Sequence, residues 1–180
     1  RPTGFSFPFA GLVMHRGPTS ASGLHLGFGS ELRYTWNGAS ATSNWVSGLT
    51  LPLGTWSFVA LTVRADAASL WMHDGSAWQS ATRVAAHPAE SFDGLLQLGA
   101  DPLLALRHFA GDLDEVRILD WALDAAELEQ LRSLGGPAGA PAPRDGGQLV
   151  VPESGLAWAP GALADEQRVY FGNDHAAVCA

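Results

Sequence analysis

Thr55-Trp-Ser-Phe-Val-Ala-Leu-Thr-Val-Arg64 is the run that most restricts the fold. Read with period two, it places Ser57, Val59, Leu61 and Val63 on one face. Trp56, Phe58, Ala60 and Thr62 lie on the other. Both faces are largely apolar, a pattern suited to a strand covered on both sides. The run is therefore predicted to be a central strand, and Trp56 is assigned to the core.

Neighbouring segments fit the same architecture. Candidate strands at 9–15, 23–28, 31–36, 70–73, 78–85, 92–98 and 107–110 are divided by Gly, Pro, Ser and Asn. In the second, Leu24, Leu26 and Phe28 oppose His25; in the third, Leu32, Tyr34 and Trp36 oppose Glu31, Arg33 and Thr35. Trp36 joins the predicted core. Asp74-Gly75 is a hairpin turn signal. No run before residue 124 has helical periodicity. The pattern predicts an all-β antiparallel sandwich.

The 180 residues, 47% of them apolar, suffice for one full core. Eighteen acidic against ten basic residues give a net charge of −8. That is opposite to the basic footprint of nucleic-acid binding, so no nucleic-acid partner is expected. No stretch approaches the ~18 apolar residues of a membrane helix, so no membrane insertion is expected. Cys179 is the single cysteine and forms no intrachain disulfide. The sequence starts at Arg1 in mid-pattern, so the chain is expected to be part of a longer protein, tethered to further domains.

Residues 112–119 alternate again. Asp112, Asp114, Val116 and Ile118 share one face; Leu113, Glu115, Arg117 and Leu119 share the other. Val116 and Ile118 are predicted to close the core, which turns Asp114 inward. A buried carboxylate requires hydrogen bonds, a counter-charge or a metal. Glu115 and Arg117 form a surface couple. Asp124 and Glu127 then make a capping box, and Leu128 and Leu131 follow at helical spacing. Gly135-Gly-Pro137 ends this short helix. The helix is expected to cover an end of the sandwich, with Trp121 packing it in place.

Gly111-Asp-Leu-Asp-Glu-Val-Arg-Ile118, followed by Ala122-Leu-Asp-Ala-Ala-Glu-Leu128, resembles the closing signature of laminin-G-like (LamG) jelly-roll modules. These belong to the concanavalin A-like lectin/glucanase superfamily. Asp124 stands where the pattern usually has Ser. Glu31-Leu-Arg-Tyr-Thr-Trp-Asn37, Ser47-Gly-Leu49, Gly54-Thr-Trp-Ser-Phe-Val-Ala-Leu61, Phe92-Asp-Gly94 and Leu98-Gly99 extend the resemblance over residues 9–134. It implies a jelly-roll β-sandwich at the cell surface or outside the cell, of a kind found in bacterial secreted proteins. The family's opening strands are not in this sequence. That implies an incomplete sandwich, with an unpaired edge and an uncovered core.

A Gly/Pro/Ala linker is read at 136–147. Beyond it, 149–151, 156–158 and 168–172 read as strands of a truncated β segment, 148–180. Leu156-Ala-Trp-Ala-Pro-Gly161 and Val169-Tyr-Phe-Gly-Asn-Asp174 look like the start of a fibronectin-III-like module, with Trp158 as its buried tryptophan. The domain reading is 1–135, 136–147 and 148–180.

The superfamily's glucanases suggest a search for paired carboxylates, which in retaining glycosidases stand about 5–5.5 Å apart. Asp112 and Asp114 begin an alternating acidic pattern. The acid that would complete it is replaced by Arg117, and Glu115 lies on the opposite face. No enzyme is therefore predicted. No Zn, P-loop or nucleophile-elbow motif occurs, and His15, His25, His73 and His108 are read as ordinary exposed or hydrogen-bonded residues. The resemblance makes Asp114 the candidate ligand of a structural calcium. Trp45, Trp71 and Trp78 are the candidate ligand-binding platforms. The expected function is a non-catalytic recognition module of a larger secreted or cell-surface protein, binding glycan or an extracellular protein surface. The alternatives are a structural spacer beside a catalytic domain and a divergent glycoside hydrolase.

Overall fold

The computed structural model describes residues 1–134, 139–142 and 157–159. The chain divides into two compact units, Arg1–Leu123 and Asp124–Ala180. The first holds strands β1 (Ala10–Arg16), β2 (Ala21–Leu26), β3 (Leu32–Thr35), β4 (Phe58–Val63), β5 (Ala67–His73), β6 (Trp78–Val84) and β7 (Leu95–Leu98). They form two antiparallel sheets, ordered β3-β2-β1-β7 and β4-β5-β6. A one-turn helix, α1 (Ser40–Ser43), lies in the polar loop after β3. This is a jelly-roll β-sandwich.

Strand alternation makes the core. Leu24, Leu26, Leu32 and Tyr34 come from the first sheet, and Ala68, Leu70 and Met72 from the second. Leu49, Leu51 and Phe109 arrive from loops. Val59, Leu61 and Val63 of β4, together with Trp36 and Trp45, pack partly buried against this cluster. The segment carrying Leu49 and Leu51 is fastened through Glu31, whose buried carboxylate pairs with Arg33 at 2.6 Å and accepts from the Gly48 N–H at 2.9 Å. Gly23 allows β1 and β2 to approach: its φ is 148°, and a Cβ there would lie 2.1 Å from the Val13 carbonyl oxygen.

Asp101 and His25 are buried polar groups with partners. Asp101 accepts from Arg16 at 2.6 and 2.8 Å, from Arg107 at 2.8 Å and from the Leu103 N–H at 3.1 Å. Burial alone would raise its pKa; the two guanidinium groups and the backbone N–H overcome that and hold it at about 2. His25 sits 3.0 Å from the Thr35 hydroxyl, and burial lowers its pKa to about 4.

Several expectations fail in this unit. Residues 112–119 do not form a strand and are exposed. Glu115 has a φ of 51°, which interrupts the extended run. Val116 and Ile118 are 38% and 61% exposed, so they do not close the core, and Asp114 is not an inward carboxylate. Among the described residues, alternation here has no neighbouring strand to register against. Among the described residues β4 is an edge strand rather than a central one, and all its residues are only partly buried. Trp56 precedes β4 and is 50% exposed, with the Arg1 guanidinium 5.5 Å from its ring centroid. Trp121 is also exposed, so it is not a packing residue. Phe28 lies in a 3-10 turn and projects outward. Residues 107–110 contribute an isolated bridge, Ala100 to His108, in place of a strand.

The second unit begins with α2 (Ala125–Leu134). Asp124 accepts from the Ala126 and Glu127 N–H groups at 2.9 Å, and Glu127 accepts from the Asp124 N–H at 2.7 Å. This is the reciprocal capping box read from the sequence. β8 (Gly139–Ala142) pairs with β9 (Ala157–Ala159). β8 falls inside the segment read as a linker, and β9 overlaps the expected strand at 156–158. The expected strands at 149–151 and 168–172 lie outside the described residues, as does the Trp158 side chain.

Leu70→Ala should destabilise the chain by about 2–5 kcal/mol in urea unfolding, because Leu70 is fully buried between the sheets. His25 gives a pH signature. The unfolded chain binds its proton near pH 6.5, while the folded chain resists until about 4. Its stabilising contribution is complete above pH 6.5 and is lost as pH falls toward 4. The melting temperature should fall across that window, and His25→Gln should reduce the slope.

Candidate functional site

The outer face of the β4-β5-β6 sheet gathers the side chains best suited to hold a ligand. Pairing sets them in three cross-strand rows: Phe58, His73 and Trp78; Ala60, Trp71 and Ser80; Thr62, Ser69 and Thr82. Their inward neighbours include Met72, Leu70 and Ala68. Because side chains alternate across a strand, burying one set turns the other outward.

The β5–β6 hairpin sets this register. Gly75 has a φ of 97°, which glycine adopts without strain. Asp74 accepts from the Ser76 hydroxyl at 2.6 Å and from the Ser76 and Ala77 N–H groups at 2.9 and 3.1 Å. These bonds, the Ser76 hydroxyl foremost, lower its pKa to about 2. The turn carboxylate is therefore ionised at any physiological pH. His73 Nδ1 accepts from the Gly75 N–H at 3.1 Å, which places the proton of the neutral ring on Nε2.

Trp78 stands edge-on to two rings: its centroid is 5.6 Å from Phe58 and 5.3 Å from His73. Trp71 donates its indole N–H to the Thr62 hydroxyl at 3.0 Å. Ser69 and Thr82 share a 2.8 Å hydrogen bond. Aromatic bodies beside hydroxyls can cover the apolar faces of a ligand and exchange hydrogen bonds with its polar rim.

The structure brings Trp71 and Trp78 to this face but not Trp45. Trp45 packs against the core, edge-on to Tyr34 at 5.9 Å. Phe58, His73, Thr62, Ser69 and Thr82 were not singled out from the sequence. Their signal was present in the parity of residues 55–64 combined with the Asp74-Gly75 turn.

The acidic residues near 112 are placed differently. Asp112 pairs with the Arg1 guanidinium at 2.7 Å, and Glu115 pairs with Arg117 at 2.8 Å as expected. Asp114 is exposed and accepts from the Glu115 N–H at 2.9 Å. Calcium takes six to eight oxygens. Among the described residues no group of three or more His, Cys, Asp or Glu is placed to hold a metal ion, and Asp114 has no such companions. No helix among the described residues is long and apolar enough to cross a membrane.

No curated protein and no solved structure matches the chain. The fibronectin-III-like reading of the C-terminal segment finds no support in these comparisons. The laminin-G family described as the concanavalin A-like lectin/glucanases superfamily matches residues 8–129. That span is more than half of the chain and includes both sheets, so the chain belongs to this laminin-G family of the concanavalin A-like superfamily.

Proposed function

We propose that this domain is a non-catalytic glycan-recognition module of a larger secreted or cell-surface protein. At the coarse level, its superfamily fits a carbohydrate- or protein-binding module, and laminin-G-type domains are generally non-catalytic. The observation that carries the glycan reading is the co-facial set Phe58, Trp71, His73 and Trp78, flanked by Thr62, Ser69 and Thr82. Sugars present apolar C–H faces edged by hydroxyls, and this surface offers the complement of both. None of these side chains is a carboxylate, an ammonium or a guanidinium, which suits a neutral saccharide. The net charge of −8 carried by the chain favours neutral over anionic glycans.

Affinity electrophoresis in gels containing neutral polysaccharides tests the reading. The chain should be retarded by at least one. Trp71→Ala and Trp78→Ala should each weaken binding about tenfold, a loss of about 1.4 kcal/mol. Trp45→Ala should lower stability and leave retention of the folded fraction unchanged. Absence of retardation on any glycan would sink the proposal.

A further inference from the structure

We propose that Ser80 is the floor of a notch on the outer face of the β4-β5-β6 sheet, and that this notch seats a single pyranose unit of a neutral glycan. The proposal rests on the glycan reading of that face. It assigns the specificity of the face to one hydroxyl outside the aromatic set.

The two indoles frame the notch by leaning away from it. Trp78 is on β6 and Phe58 on β4, with β5 between them. Their backbones are two interstrand spacings apart, about 10 Å, yet their ring centroids are 5.6 Å apart. The rings therefore close over β5, where Trp78 also meets His73 at 5.3 Å. Trp71 on β5 turns its indole N–H edge toward β4, to the Thr62 hydroxyl at 3.0 Å, on the side where Ala60 is its small cross-strand neighbour. Ser80 faces Trp71 across the ladder and follows Trp78 by two residues on the same face of β6. With both rings drawn toward β4, Ser80 is exposed, whereas Trp71 and Trp78 are half-buried.

Polar groups complete the outline. On the side away from Trp78, the Thr82 and Ser69 hydroxyls share a hydrogen bond of 2.8 Å. Two hydroxyls bonded to each other still hold one uncommitted proton and spare lone pairs. The Ser80 hydroxyl has no partner among the described residues, and it can both donate and accept. β6 is the last strand of its sheet among the described residues, so the notch opens along its outer side.

These dimensions suit one sugar ring. Outward positions on a strand recur about every 7 Å, which places Trp78 and Thr82 about 13 Å apart with Ser80 midway. The indoles cover the C–H faces of the ring. Two adjacent ring hydroxyls, each forming a hydrogen bond of about 2.8 Å, can reach Ser80 and Thr82 together. Beyond Thr82 the next outward residue of β6 is Val84, which offers no side-chain hydrogen bond to a second sugar. The rest of a glycan leaves over the outer side of β6.

The test is saturation-transfer NMR on the full chain with the methyl glycosides of glucose, galactose and mannose, alone and in competition with a neutral polysaccharide that retards the chain. At least one methyl glycoside should bind and displace the polysaccharide. Ser80→Ala should weaken its binding about fivefold, the loss of one hydrogen bond. Ser80→Leu fills the notch, leaves both indoles in place and should abolish binding. Both variants should melt with the unmodified chain, because Ser80 is exposed. If the leucine variant melts lower, the alanine variant decides the case. Polysaccharide binding with no competing methyl glycoside, or binding unchanged in either folded Ser80 variant, overturns the notch and leaves the glycan reading standing. Absence of binding to any glycan overturns both.

Discussion

The structure depends on a single apolar layer shared by two sheets. Leu24, Leu26, Leu32 and Tyr34 on one side, and Leu70, Met72 and Ala68 on the other, are removed from water only because the sheets face each other. Each sheet supplies the cover that the other lacks. Burial of large aliphatic side chains contributes about 1.5–3 kcal/mol apiece, before the entropy of ordering the chain is set against it. The same layer fixes the orientation of the candidate binding face. Once Leu70 and Met72 point inward, Ser69, Trp71 and His73 must point outward.

Polar groups secure the loops around this layer. Asp101 joins two arginines from distant parts of the chain, Arg16 on β1 and Arg107 in a loop. Glu31 ties Arg33 to the turn at Gly48. Tyr34 is apolar packing along most of its ring, and its hydroxyl meets His87 Nε2 at 2.8 Å. These groups do not drive collapse. They leave few ways for the loops to rearrange without stranding a buried charge or hydroxyl.

Residues 111–131 show how far local pattern carries. The capping box of α2 was legible because it is closed within four residues, Asp124 to Glu127. The Glu115–Arg117 couple was legible for the same reason. The strand at 112–119 was not, although its alternation is as regular as that of β5. A strand is completed by a neighbour, and its period says nothing of whether one is present. The inward carboxylate expected at Asp114 is found instead at Asp101, whose arginine partners are 85 and six residues away.

The class of fold, the positions of the seven strands of the two sheets to within a few residues, the hairpin at Asp74-Gly75 and the cap of the helix were legible in the sequence. Each follows from periodicity or turn chemistry acting over short distances. Tertiary structure alone decided which strands are edges, which tryptophans are covered and which stand together. Trp71 and Trp78 share a face because β5 and β6 pair in one register, whereas Trp45 is drawn to Tyr34 in the core. Trp56, on an apolar run that reads as core, precedes β4, shares the parity of the outward-facing Phe58 and is exposed. Burial belongs to a residue's neighbours in space, and local alternation cannot specify them.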